Sequence, residues 1–122
     1  MADKREDALS DLRLLIGSID ELVDALRRYH SECENTLRVL NDDDPVIEAF
    51  RHARTTNARS VTSDSLKTFE RLRHRSRLSL IDLASEQGVT SRQFSTNLSV
   101  SRQLADRWMN QAKHREAADP MD

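Results

Sequence analysis

Residues 9–40, LSDLRLLIGSIDELVDALRRYHSECENTLRVL, decide the fold. Apolar residues recur there every seven positions in three adjacent columns. One column is Leu12, Ile19, Leu26, Cys33 and Leu40. A second is Leu15, Leu22, Tyr29 and Thr36, and a third is Leu9, Ile16, Val23, His30 and Leu37. Two columns make the narrow seam of a coiled coil, whereas three make the wider face of a helix in a bundle. The stretch predicts a single helix of about 35 residues, roughly 50 Å long at 1.5 Å per residue. A compact monomer of 122 residues is too small to cover such a face completely. The columns, apart from His30 and Thr36, are therefore the candidates for a homodimer contact. The alternative is a helix that packs only on others of its own chain. Gly17 interrupts the pattern, costs about 1 kcal/mol against Ala, and is read as a close helix approach or a slight bend. His30 and Cys33 have a spacing that can hold a metal, but nothing else in the sequence completes a ligand set, and no metal is expected.

The charge divides by region. Residues 1–44 carry 6 Lys/Arg and 12 Asp/Glu, and residues 45–115 carry 13 and 6. The net charges are −6 and +7, the last seven residues add −3, and the total of −2 conceals the division. The sequence is read as an acidic amphipathic arm over 1–44, a basic helical domain over 45–117 and a flexible tail over 118–122. One pole is suited to a protein and the other to a polyanion. Two Gly and two Pro leave few tight turns, and no stretch alternates apolar and polar as a half-buried strand does, so the fold class is all-α.

The lone Cys33 cannot form an internal disulfide and fits a reducing compartment. The first residues, Met1-Ala2-Asp3-Lys4-Arg5-Glu6-Asp7, do not resemble a signal peptide. No apolar run approaches the roughly 18 residues of a membrane span, so a cytoplasmic protein is expected. His30, His52, His74 and His114 are scattered, no Gly-rich phosphate loop is present, and no nucleophile has an obvious base. Neither an enzyme, a cofactor nor a ligand pocket is expected.

After the arm, Asp44 is placed as an N-cap with Pro45 at the first helical position, opening a helix over about 45–53. The polar stretch 55–63 reads as a loop or linker. Ser63 or Asp64 then caps a helix to about Arg75, which carries Lys67, Arg71, Arg73 and Arg75, with Arg77 just beyond. Ser79 with Asp82 reads as a further helix start. Gly88 fits the left-handed position after a helix, Val89 folds back as the next apolar residue, and Thr90 with Gln93 forms a capping box. Past a weak stretch at Ser99–Ser101, a last apolar side follows, with Leu104, Ala105 and Met109 around Trp108 as a core anchor.

The segment Leu83-Ala84, Gly88, Val89 and Phe94 resembles the helix-turn-helix of bacterial DNA-binding regulators over about 79–98, which places a helix-turn-helix at about 79–99 of the basic domain. In that family the small alanine lets two helices approach, the glycine makes the turn and the apolar residues lock the crossing angle. The chain departs at Asn97, where the family has an aliphatic residue. Either Leu98 replaces it or the second helix is rotated. The resemblance implies that the second helix enters the major groove by its N-terminal end. Ser91, Arg92, Gln93, Ser95, Thr96 and Ser99 would then face the bases, with Arg92 matched to guanine and Gln93 to adenine. Arg71, Arg73, Arg75, Arg77 and Arg102 would meet phosphates. The function expected is a dimeric helix-turn-helix protein on double-stranded DNA, acting in transcription regulation. The other reading is a protein–protein adaptor whose acidic helix joins a partner's bundle.

Overall fold

A computed structural model describes residues 3–114 of the chain. Among the described residues there are five α-helices and no strand: α1 Lys4–Asn41, α2 Val46–Thr56, α3 Ala58–Glu86, α4 Ser91–Leu98 and α5 Arg102–His114. The tail expected at 118–122 lies outside the described residues.

α1 is the expected long helix of the arm, and runs for 38 residues. Glu6 and Asp7 in its first turn and Arg38 in its last complement the helix dipole. It runs unbroken through Gly17, where an added Cβ would meet nothing within 4 Å. The close helix approach expected at this glycine is absent. The side of α1 turned to its own chain is built from small or polar residues at helical spacing, Ala8, Asp11, Ser18 and Ala25, all buried. Leu12, Leu15 and Leu22 flank that side and are half-buried. Thr36 is half-buried as well, and the other members of the three columns point outward, with Ile16 59% and Leu37 60% exposed. Cys33 is exposed too.

The expected linker over 55–63 is helix instead. α2 runs to Thr56, a single residue intervenes, and α3 begins at Ala58. Asn57 makes the break by adopting the left-handed conformation, φ 54°, with its N–H donated to the Ala53 carbonyl. Asparagine tolerates that region better than most residues. The weak helix formers that follow are held by tertiary contacts: Ala58 is buried, and the Thr62 hydroxyl reaches both the Ala58 and Ala25 carbonyls, at 2.8 and 3.1 Å. The expected cap at Ser63 or Asp64, the end near Arg75 and the restart at Ser79 are likewise replaced by one continuous 29-residue helix. Ser79 is buried within it, its hydroxyl near the Arg75 and Ser76 carbonyls at 3.2 Å each. Pro45, with φ −60° and ψ 136°, stands at the N-cap of α2, one place earlier than its expected role inside the helix.

The described residues fall into two compact units that cut across both long helices, one of Ile16–Glu70 and one of Met1–Leu15 with Arg71–Asp122. In the first, Glu32 links α1 to α2, accepting from the Thr56 hydroxyl at 3.0 Å and lying 2.8 Å from His52 Nδ1. In the second, Asp11 meets Arg75 at 3.0 Å and Lys4 meets Asp82 at 3.1 Å, so the start of α1 lies antiparallel to the end of α3. The Asp82 carboxylate, by hydrogen bond and by charge, raises the Lys4 pKa above its ordinary 10.5. The core of this unit joins Leu78 and Ile81 of α3, Phe94 of α4, and Ala105 and Ala112 of α5, with Ala84, Val89, Val100, Trp108 and Met109 around it.

Candidate nucleic-acid interface

The turn between α3 and α4 has the chemistry its sequence requires. Gly88 adopts φ 87°, a conformation costly to any residue bearing a Cβ. The Val89 N–H is donated to the Ala84 carbonyl at 3.0 Å, and Val89 packs on the core. Thr90 and Gln93 form the complete capping box: the Gln93 N–H meets the Thr90 hydroxyl at 3.3 Å, and Gln93 Oε1 accepts the Thr90 N–H at 2.9 Å. Phe94 then anchors α4 in the core. Ser99, left-handed at φ 53°, ends it. The Ser101 hydroxyl accepts the Leu104 N–H at 3.1 Å and opens α5.

This architecture divides the six base-reading candidates. Three are committed to the fold. The Ser91 hydroxyl lies 3.0 Å from Met109 Sδ, Gln93 belongs to the capping box, and Ser95 donates to the Val100 carbonyl at 2.7 Å. The other three, Arg92, Thr96 and Ser99, are exposed: Arg92 and Thr96, four apart, share one edge of α4, and Ser99 stands at its C-cap. Asn97 donates to the Gln93 carbonyl at 2.8 Å, and Leu98 is 51% exposed. The departure at Asn97 is thus filled by a side chain bonded along its own helix.

The phosphate candidates divide in the same way. Arg71, Arg73 and Arg102 are exposed. Arg75 is turned to Asp11, whose side chain is only 5% exposed, and the Arg77 guanidinium lies 4.5 Å from the centroid of the Trp108 ring. A guanidinium stacked on an indole keeps its charge while its position is fixed. Over the described residues, the unit containing Met1–Leu15 and Arg71–Asp122 has 11 Lys/Arg and 7 Asp/Glu, a net of +4, and Ile16–Glu70 has 7 and 11, a net of −4.

Sequence reasoning missed two features here. Asp11, on the polar side of α1, is a buried partner for Arg75, and Ser76 lies within the Arg73–Arg77 strip as a buried hydroxyl. Both follow from which side of each helix faces its neighbour. Among the described residues no cluster of three or more His, Cys, Asp or Glu is placed to hold a metal, and no helix is long and apolar enough to cross a membrane.

In architecture, the described chain is all-helical, with a short capped helix, α4, sharing one core with α3 and α5. Comparison with protein-family models, curated proteins and solved structures finds no match to it.

Proposed function

We propose that the chain is a dimeric helix-turn-helix DNA-binding protein that regulates transcription, with α4 presented to the major groove. The observation that carries this reading is the division of labour on α4. Phe94, Gln93 and Ser95 fix the helix, while Arg92 and Thr96 form an exposed polar edge on it and Ser99 is exposed at its C-cap, in a unit whose described residues carry a net charge of +4. Arg92 stands in the first turn of α4, where a base-reading side chain of this motif belongs. Arg71, Arg73 and Arg102 supply cations for the phosphate backbone. The second copy joins through the outward apolar face of α1, from Leu9 through Ile16, Ile19, Val23, Leu26 and Tyr29 to Leu37 and Leu40. Symmetric dimers of this kind read two half-sites with one surface.

That same apolar face favours a second reading. A protein–protein adaptor would present it to a different partner, with the unit of net charge −4 as its binding surface. Salt separates the two. Binding to mixed-sequence duplex DNA should weaken steeply between low and physiological salt, with log K falling by roughly 0.9 for each phosphate neutralised. The absence of binding at low salt would exclude the DNA reading in favour of the adaptor. Arg92→Ala is expected to relax sequence preference, whereas Arg71→Ala should weaken all sequences about equally.

A further inference from the structure

Two of the three columns of α1 make its outward stripe. In one, Ile19, Leu26, Cys33 and Leu40 are exposed and Leu12 is half-buried; in the other, Leu9, Ile16, Val23, His30 and Leu37 are all exposed. One edge of the stripe, with Leu15 and Leu22, is turned to the chain's own helices. The other edge is charged. It consists of Glu6, Arg13, Asp20, Arg27 and Glu34, all exposed and alternating in sign at every seventh position. Arg27 lies 3.7 Å from Asp24, and Glu34 lies 3.1 Å from His30 Nδ1, each along its own exposed helix surface. Exposed pairs of this kind contribute little, so they do not withhold these side chains from a facing helix.

The middle of the stripe supplies the second observation. Val23, Leu26, Arg27 and His30, with Ser31, line a depression of about 500 Å³. The first four stand at i, i+3, i+4 and i+7, the relation of the four residues that receive one knob of a facing helix.

We propose that a second copy of the chain lies antiparallel on this stripe, in a single register, with the partner's Val23 seated in that hole. Val23 then packs beside the partner's Leu26, Ile19 beside the partner's His30, and Ile16 beside the partner's Cys33. Continued along α1, Leu12 and Leu9 meet the partner's Leu37 and Leu40, so every member of the stripe has a mate. Charge selects this register. Antiparallel helices bring the charged edge of one against the charged edge of the other, and here Asp20 faces the partner's Arg27 and Arg13 faces the partner's Glu34. Symmetry repeats each pair. A shift of one heptad in one direction sets Asp20 against the partner's Asp20 and Arg13 against the partner's Arg27. A shift in the other direction sets Arg27 against the partner's Arg27 and Asp20 against the partner's Glu34. Both place like charge on like. A parallel pair sets the charged edge against the Leu15–Leu22 edge, where its alternation has no role. Resting on the dimer half of the proposed function, a consequence for DNA follows. The two copies of Asp11 stand about 40 Å apart along the pair at 1.5 Å per residue, so the two basic units occupy opposite ends of the dimer.

Cys33 is the only cysteine and is exposed, so thiol cross-linking reads the arrangement. In this register the two native thiols lie about 25 Å apart along the pair, whereas the thiol of an Ile16→Cys chain lies beside the partner's Cys33. The full-length protein is treated with a short bis-maleimide, and its mass in solution is measured on the same sample. The expected result is no linkage of the native chain, none between positions 9 and 33 of Leu9→Cys, and a covalent dimer of Ile16→Cys joined between positions 16 and 33. Linkage of the native chain through Cys33 identifies a parallel pair and overturns the proposal. Linkage of Leu9→Cys to Cys33 identifies a shifted register and does the same. Arg27→Glu should weaken the dimer at least tenfold, and adding Asp20→Arg should restore it; both positions are exposed, so the fold is kept. Loss without rescue overturns the charge match. A dimer that Ile16→Cys fails to link overturns the arrangement and leaves the dimer reading standing, whereas a monomer overturns both. None of these outcomes depends on DNA, which the salt titration decides separately.

Discussion

The two glycines respond to substitution in opposite directions. Gly88 has φ 87° with open space around it, so the cost of a side chain there is conformational and not steric. Gly88→Ala should destabilise the protein by about 1 kcal/mol. Gly17 is helical and equally open, so Gly17→Ala should stabilise it by about 1 kcal/mol. Urea unfolding of the two variants against the parent checks both signs. The arginines are separable in the same manner. Arg75→Ala strands the buried Asp11 carboxylate and should cost about 2 kcal/mol, whereas the exposed Arg71→Ala should stay within about 0.5 kcal/mol of the parent. If Arg75→Ala left stability unchanged and weakened only DNA binding, its pairing with Asp11 would be incidental. The sequence presents Arg71, Arg73, Arg75 and Arg77 as equivalent members of one cationic strip, because a charge run carries no information about which member finds a buried partner.

Within single helices, the start and stop signals are legible in the sequence and the continuity of a helix is not. The start of α4 follows from Thr90, Gln93 and Gly88 alone, since caps and turns depend on residues within a few positions of one another. The break at Ser99–Ser101 was visible for the same reason. The 29-residue run of α3 is not, because Ser60, Val61, Thr62 and Ser63 are weak helix formers and propensity is only a prior. Contacts such as Thr62 to the Ala25 carbonyl override it. For α1 the expected helix is present, yet its own-chain side is the quiet one of Ala8, Asp11, Ser18 and Ala25, and the conspicuous columns mostly face outward. That outward face belongs to the dimer prediction. Ile16→Glu combined with Leu37→Glu replaces two residues that are each more than half exposed, so helicity should be kept while the mass in solution falls from dimer to monomer. A mass unchanged by the double substitution would remove α1 from the interface.

For the whole molecule, the decisive quantity is the distribution of charge. Along the chain the poles are −6 for residues 1–44 and +7 for 45–115. Over the described residues 3–44 and 45–114 carry −6 and +6, and the two folded units carry −4 and +4, because the start of α1 lies with the basic unit, and α2 and the start of α3 with the acidic one. The folded basic unit is therefore less cationic than the sequence division suggests, and Arg75 and Arg77 are already engaged by Asp11 and Trp108. A dimer making about six to eight phosphate contacts should show a slope of log K against log salt near −5 to −7. If Arg75 and Arg77 make no phosphate contact, the slope falls toward the shallow end, and titration at three salt concentrations reads the difference.

The all-helical class, the long first helix, the glycine turn and the capped short helix are legible along the chain, since each depends on periodicity or on residues adjacent in it. That 55–63 is helical apart from Asn57, that α3 is a single helix, and that half of the base-reading candidates hold the fold emerge from packing. Those outcomes depend on which side of a helix meets its neighbour. Small residues such as Ala, Ser and Thr allow a close approach without announcing it in a hydrophobic pattern.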